Sequence, residues 1–143
     1  MCIRDRRGDL TANDTMLDIA QYLRSVDIPL NALYLSNAEQ YFEYSPEFRR
    51  NMIAMPWGEK SVALRTLGWG MHGFVDEKEE YHYNVQGGVK FARWLKESYL
   101  NKAGRFLRHK DKTDTFGFSV IKRPPHTHPK RKPKIAPLPE LRP

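Results

Sequence analysis

The spacing of apolar residues along the chain predicts helices alternating with strands. Before Pro29, apolar side chains recur at helical spacing, and Asp14 or Thr15 is placed to cap the start of that helix. The next run, 30–36, is short and mostly apolar, which predicts a strand of a parallel sheet buried on both faces. A strand at this distance from a helix indicates a βαβ crossover.

A second helix and a pair of strands follow. Ser45 as N-cap and Pro46 at the first helical position open the helix, and the proline and glycine of residues 56–58 stop it. Residues 61–67 and 80–85 are strand candidates, which we expect to pair as an antiparallel hairpin. The stretch between them is rich in glycine and then in acidic residues.

The last predicted element is a short amphipathic helix after Gly87 and Gly88. Its apolar side chains continue to Tyr99, and Lys96 and Lys102 suit its C-terminal end. The sequence therefore predicts an α/β domain over residues 8–121.

The two ends of the chain differ from this middle part. Residues 1–7 resemble a translated sequencing-adapter scar, so we expect an artefactual leader there, and it contains the chain's single cysteine, Cys2. Residues 122–143 contain seven of the ten prolines and almost no apolar spacing. We expect this segment to be a disordered basic tail.

Charge is concentrated in that tail. Residues 122–143 hold seven basic residues and one acid, which accounts for +6 of the formal net charge of +7, and the other 121 residues hold 17 basic and 16 acidic side chains. A broad basic face is therefore not expected, and specific nucleic-acid binding is disfavoured. No apolar run reaches the length of a transmembrane helix and no signal peptide is evident, so the default expectation is a cytoplasmic protein, with its oligomeric state open.

One segment carries a family resemblance. Leu33-Tyr34-Leu35-Ser36-Asn37-Ala38-Glu39-Gln40-Tyr41-Phe42 is similar to a segment of uncharacterised bacterial proteins with a methyltransferase-like core, in which Gly8-Asp9-Leu10-Thr11 and His82-Tyr83-Asn84-Val85-Gln86 have counterparts. The order of elements also resembles the second half of the class I S-adenosylmethionine-dependent methyltransferase fold. The resemblance covers about Gly8 to Leu95.

This resemblance implies a fold and a cofactor. It implies that the chain is the C-terminal part of a Rossmann-like three-layer α/β sandwich, an incomplete domain. The glycine-rich loop and the acidic residue that hold S-adenosylmethionine in such folds are then expected upstream of residue 8.

Polar residues that follow buried strands are the first candidates for a site, because ligands of open α/β sheets bind at the carboxyl ends of strands. Asp9 is a candidate catalytic residue, as general base or by orienting a substrate, and Asn37 is a second, with an amide that both donates and accepts. Ser36 and Tyr41 are candidates for substrate binding. The alternative is that Asp9 and Asn37 only cap the segments that follow them.

A second group lies on the predicted hairpin. His82, Asn84 and Gln86 alternate, so they project from one face and are expected to border a cleft, with His82 and Asn84 as substrate-binding candidates. His82 is otherwise a half-exposed residue of an edge strand. Arg65 lies inside an apolar strand and is expected to form a structural ion pair with Glu39 or Glu43.

Two functional hypotheses remain from the sequence. The first is an enzyme that resembles methyltransferases and acts on a small or unknown acceptor, with S-adenosylmethionine as cofactor. The second is a non-catalytic binding or structural module whose basic tail, around 130–134, contacts an acidic partner. No metal site is predicted, because His126 and His128 have no carboxylate framework around them.

Overall fold

The computed structural model of the protein describes residues 8–68 and 81–123. In chain order its elements are α1 Thr15–Ser25, β1 Leu30–Ser36, a short 3₁₀ helix Ala38–Gln40, α2 Pro46–Ala54, β2 Trp57–Leu67, β3 His82–Gly87, α3 Gly88–Trp94, α4 Ala103–Leu107, β4 Asp111–Lys112 and β5 Phe118–Ile121. Three parts of the chain lie outside the described residues. They are the predicted leader, the stretch between β2 and β3 together with the start of the second predicted hairpin strand, and the tail from residue 124 onward.

The strands form one mixed sheet in the order β1-β2-β3-β5-β4. β1 and β2 are parallel and are joined through α2. The predicted crossover through α1 would need a strand before that helix, and the described residues before α1 form none. β2 and β3 pair in antiparallel register, which confirms the predicted hairpin. β5 runs parallel to β3 on its other side, and the two-residue β4 pairs with β5 in antiparallel orientation. The protein is thus a mixed α/β fold with an open sheet.

The starts of α1 and α2 follow local sequence signals. Asp14 is the N-cap of α1 and its carboxylate accepts a hydrogen bond from the Thr15 backbone N–H at 2.6 Å, which decides between the two predicted caps. At α2 the Ser45 hydroxyl accepts from the Phe48 N–H at 3.2 Å, and Pro46 occupies the first turn. Both predicted helix starts are confirmed.

The main core lies between one face of the sheet and the helices α2, α3 and α4. It is rich in aromatic rings, which meet mostly edge to face. Its buried members are Leu35, Tyr44, Phe48, Met52, Ala63, Phe91, Trp94, Leu95, Leu100, Phe106 and Ile121. A smaller cluster of Ala20, Ala54 and Met55 joins α1 to α2.

The opposite face of the sheet carries apolar side chains that are only partly buried or exposed. We call it the open face. Strand alternation and register assign to it Ala32, Tyr34, Val62, Leu64, Tyr83, Val85, Phe118 and Val120. None of these eight side chains is fully buried, whereas the fully buried apolar residues of the strands all belong to the helix-covered face.

β1 has the predicted bounds, but the prediction that it is buried on both faces is wrong. It lies at the end of the described sheet and pairs only with β2 among the described strands. Asn31, Ala32 and Tyr34 are exposed, and only Leu35 is fully buried. An apolar run of this length does not distinguish a central strand from an edge strand.

β2 begins earlier than predicted. The Trp57 indole N–H donates to the Met52 carbonyl at 2.8 Å, and Trp57 pairs with Leu30 of β1. Residues 56–58 therefore both stop α2 and begin β2. Pro56 is compatible with this because it precedes the first residue of the strand.

α3 ends earlier than predicted, at Trp94. The chain leaves the helical conformation there, and the Arg49 guanidinium of α2 donates hydrogen bonds to the carbonyls of Leu95, Glu97 and Leu100. Lys102, expected near the C-terminal end of that helix, is the extended N-cap residue of α4. The structure also adds α4, β4 and β5, for which no element was predicted.

Candidate functional site

A cluster of uncharged polar side chains lies where the parallel strands β1 and β2 end. We call it the strand-end site. Its members are Tyr34, Ser36, Asn37, Gln40, Tyr41 and Thr66. In open α/β sheets this edge is the usual position of ligands.

Ser36 forms the bend on which the site depends. Its backbone φ is 51°, in the left-handed region that costs a residue with a side chain about 1–2 kcal/mol. This conformation ends β1 and starts the 3₁₀ helix, which brings Asn37 and Gln40 to the end of the sheet. Strained backbone of this kind persists where the surrounding structure holds it, and it is common at functional sites.

Hydroxyl groups form one side of the site. The Tyr34 phenol and the Thr66 hydroxyl lie 2.6 Å apart. Hydrogen bonds from Thr66, and secondarily from Ser36, lower the pKa of the Tyr34 phenol below its usual value. The three hydroxyls therefore form a connected set that can donate to and accept from a ligand.

Amides and an exposed ring form the other side. The Gln40 amide donates to the Thr66 carbonyl at 3.1 Å, and the Asn37 amide reaches the Tyr41 phenol at 3.4 Å, which is a long hydrogen bond. The Tyr41 side chain is 77% exposed. Gln40 and Tyr41 also line a groove of about 310 Å³ that extends towards the start of α4.

A buried ion pair lies directly below the site and fixes the 3₁₀ helix. Glu39, between the partly buried Ala38 and Gln40, turns inward and its carboxylate accepts from the Arg65 guanidinium at 2.5 Å. The Tyr44 phenol donates to the other oxygen of Glu39 at 2.6 Å. Burial, followed by the charge of Glu39, raises the pKa of the Tyr44 phenol well above its usual value, so Tyr44 remains the donor.

The Arg65 guanidinium has further partners, although its side chain is fully buried. It donates to the side-chain oxygens of Asn84 at 3.2 Å and of Gln86 at 3.5 Å. It also lies over the rings of Phe91, at 4.9 Å, and Phe106, at 5.6 Å. The predicted structural ion pair of Arg65 is confirmed, with Glu39 as its partner. Glu43 instead forms an exposed pair with Lys102 at 3.8 Å.

Of the residues predicted from sequence, Ser36, Asn37 and Tyr41 are brought together in the strand-end site. Asn37 occupies the N-cap position of the 3₁₀ helix but makes no capping hydrogen bond through its side chain. Its amide is directed to Tyr41 instead. The Asn37 side chain therefore does not cap the 3₁₀ helix, and its role in a site stays a prediction.

Asp9 is placed differently. Its exposed carboxylate accepts from the backbone N–H and the hydroxyl of Thr11, each at 2.8 Å. These two hydrogen bonds, the backbone one first, lower the pKa of Asp9, which makes it a weaker base. Asp9 stabilises the turn before α1, and the cap of α1 itself is Asp14.

His82 and Asn84 lie on the helix-covered face, and the expected cleft beside them is occupied by the core. Asn84 is fully buried between Arg65 and the Ser119 hydroxyl, to which its amide donates at 2.9 Å. His82 pairs with Leu67 at the same edge of the sheet as the strand-end site, but on the buried side. Burial, with a contribution from the charge of Lys110, lowers its pKa to about 4. Of the three polar residues that alternate along β3, Asn84 and Gln86 thus serve the buried arginine.

Three members of the strand-end site were not predicted: Tyr34, Gln40 and Thr66. Gln40 follows Asn37 by three residues, so helical spacing alone is sufficient to place the two amides on one side. Tyr34 and Thr66 meet across two strands 32 residues apart in sequence, and no local signal connects them.

Residues 8–68 and 81–123 contain neither a cluster of metal ligands nor a helix able to span a membrane. No group of three or more histidine, cysteine or acidic side chains is placed there to hold a metal ion. None of the helices in these ranges combines the length and the apolar composition that crossing a membrane requires.

Fold and site together define a class: a mixed α/β domain with an open sheet and a polar cluster where its parallel strands end. The family model described as "Domain of unknown function (DUF7790)" matches residues 2–122, and the chain belongs to that family. A search of curated proteins gives no match.

Proposed function

We propose that the strand-end site binds a small, uncharged molecule with a flat ring and a polar edge, of the nucleoside type, within a methyltransferase-like core. The observation that carries this proposal is the left-handed Ser36 at the end of a parallel strand, around which two amides, three hydroxyls and an exposed ring are gathered by pairwise hydrogen bonds. The parallel crossover and the antiparallel hairpin that follows it support the methyltransferase-like core.

The chemistry of the site favours this ligand class. The exposed Tyr41 ring offers a stacking surface for a flat ring, a contact that contributes about 1–3 kcal/mol to nucleobases. The amides of Asn37 and Gln40 match the donor and acceptor pattern of a base edge. The site residues carry no charge, and the carboxylate below them, Glu39, is already bonded to Arg65 and Tyr44. A neutral ligand group therefore fits better than a charged one.

The same residues do not fit the whole of S-adenosylmethionine. Its methionine end carries charged groups, which need charged partners, and the exposed charges that line the adjoining groove, Glu43 and Lys102, are paired with each other. Glu39 is buried and committed to the core. The proposal is therefore limited to binding of the nucleoside part, and no methyl-transfer step is assigned to these residues.

Calorimetric titration of the whole chain tests this proposal, with adenosine as the probe and S-adenosylmethionine alongside it. We expect adenosine to bind, and Tyr41→Ala to weaken its affinity about tenfold, because one stacking contact of moderate strength is lost. Asn37→Ala is expected to weaken binding by a smaller factor, as for one hydrogen bond.

Tyr22→Ala is the matched control, because Tyr22 is also exposed, at 66%, but lies on α1. It should leave adenosine binding unchanged. Absence of adenosine binding by the folded chain, or equal losses in Tyr41→Ala and Tyr22→Ala, would refute the proposal. Equal affinity for adenosine and S-adenosylmethionine is expected if only the nucleoside part is recognised.

A further inference from the structure

The open face of the sheet presents rows of apolar side chains that continue from strand to strand. In the central row, Tyr34 lies opposite Leu64, Leu64 opposite Val85, and Val85 opposite Val120, across β1, β2, β3 and β5. Four strands about 4.8 Å apart give a surface roughly 14 Å wide. This width matches one α-helix, whose diameter with side chains is about 10–12 Å.

Among residues 8–68 and 81–123, no atom fills the space above this face at Gly87. The Gly87 backbone is in the ordinary extended region, and a Cβ atom added to it would meet nothing within 4 Å. At the adjacent Gly88, which turns to the helix-covered side, a Cβ atom would lie 2.1 Å from the Trp57 ring. The two glycines therefore separate a packed side of the sheet from an uncovered one.

A pocket of about 520 Å³ lies at this end, where Val85, Val120 and Gly87 contribute to its lining. Three exposed cations, Lys90, Arg93 and Lys122, stand around it, with Glu59 as the one acidic side chain in the lining. The Lys90 ammonium donates to the Lys122 carbonyl at 3.0 Å, which holds the two chain segments together. An apolar floor with a cationic rim fits a ligand that is apolar on one side and acidic at its border.

From these observations we propose that the open face is a docking surface for an acidic amphipathic helix of a partner protein. The apolar stripe of the helix lies along the central row, and its carboxylates meet Lys90, Arg93 and Lys122. Covering the apolar row with the apolar stripe of the helix removes apolar surface from water, which favours binding.

Charge decides between this occupant and two others. A second copy of the chain would bring the same cationic rim, Lys90, Arg93 and Lys122, close to itself, which is unfavourable. The segment 124–143 also carries a net positive charge, with five basic residues and one acidic residue. An acidic helix is the occupant that complements the rim.

Fluorescence anisotropy with designed peptides tests the proposal. The probe is a labelled helical peptide of about 18 residues made of leucine, alanine and glutamate, with leucines at helical spacing. A peptide with lysine in place of glutamate and an acidic peptide of scrambled order serve as comparisons. The whole chain should bind the acidic amphipathic peptide with micromolar affinity, more weakly at high salt, and should bind the other two at least about tenfold more weakly.

Two variants locate the site by independent means. Gly87→Trp fills the uncovered space, and the double variant Lys90→Glu with Arg93→Glu reverses the rim; each should weaken peptide binding about tenfold or more. The matched control, Lys96→Glu with Arg108→Glu, changes the net charge equally at two exposed cations that do not line this pocket, and it should bind nearly as the wild type does. Circular dichroism establishes whether each variant is folded. If Gly87→Trp does not fold, the two double-charge variants still test the proposal.

Several results would overturn the proposal. These are no binding of the acidic peptide, equal binding of the basic peptide, or equal losses in the two double-charge variants. A dimer in sedimentation analysis that Gly87→Trp abolishes would assign the face to a second copy. Binding to phosphatidylserine vesicles that Gly87→Trp abolishes, without binding of the acidic peptide, would assign it to a membrane. Adenosine binding should be the same in wild type and Gly87→Trp, so failure of this proposal is distinguishable from failure of the strand-end site.

Discussion

The Arg65 guanidinium is the most demanding single group in the protein, because a buried charge is costly unless each of its donors is engaged. It meets a carboxylate, two amide oxygens and two aromatic faces, all supplied by other elements. The carboxylate, Glu39, belongs to the same short helix that carries the strand-end site. A residue in the core thus fixes the position of residues at the surface.

Removing the arginine should be strongly destabilising. Arg65→Met leaves Glu39 buried without its partner, and we expect the free energy of unfolding to fall by about 3–5 kcal/mol in urea denaturation. Adding Glu39→Gln to Arg65→Met should restore part of this loss, because the uncompensated charge is gone. Lys102→Met, which removes only the exposed pair with Glu43, should cost less than about 1 kcal/mol. Equal effects of Arg65→Met and Lys102→Met would contradict this account.

His82 gives the stability of the protein a dependence on pH. Its pKa is about 4 in the folded protein against 6.5 for the unperturbed side chain, so between these values the unfolded state binds more protons. The contribution of neutral His82 to stability is therefore complete above pH 6.5 and is lost as the pH falls towards 4. Urea denaturation of His82→Gln should show a flatter pH dependence than the wild type in this window. Identical slopes would show that His82 is not the group responsible.

Among the elements, α2 does most to organise the chain beyond it. Its Arg49 guanidinium donates to the carbonyls of Tyr44, Leu95, Glu97 and Leu100. These carbonyls belong to the loops before α2 and after α3, so a single guanidinium holds the two loops together. The burial of this guanidinium lowers its pKa, but an arginine stays charged at any pH at which the protein is studied.

We expect Arg49→Ala to lower the free energy of unfolding by about 1.5–3 kcal/mol, because several carbonyls lose a charged donor. Arg49→Lys should recover only part of this, since an ammonium lacks the planar fork of the guanidinium. Arg93→Ala, an exposed residue of α3, is the control and should stay within about 0.5 kcal/mol of the wild type. Thermal and urea denaturation measure all three, and full recovery in Arg49→Lys would contradict the role of the fork.

The elements that could be predicted from the sequence are those with local signals. α1 and α2 have capping residues and a proline at a start or beyond an end, and β1 is bounded by Pro29 and polar residues. The end of α3 depends on Arg49, 46 residues from the Leu95 carbonyl that it holds, and β5 is defined by pairing with β3. The same holds at the site: Ser36, Asn37 and Tyr41 follow a strand directly, whereas Tyr34 and Thr66 meet only once the sheet has formed.

At the scale of the whole molecule, the described residues form an asymmetric protein. One face of the sheet is packed with aromatic rings and encloses the buried ion pair, and the other face is open. The strand-end site lies at the edge between them, with Tyr34 directed to the open face and Glu39 to the packed one. The proposed ligand site at this edge and the proposed docking surface on the open face therefore share Tyr34 but extend over different parts of one sheet.

The claim that the strand-end site binds a nucleoside-type ligand is tested most directly by mapping amide chemical shifts of the ¹⁵N-labelled whole chain while adenosine is added. The account predicts saturable shifts for the backbone amides of residues 36–41, with smaller shifts at the neighbouring end of β2. The absence of shifts, or saturable shifts confined to other parts of the protein, would contradict it.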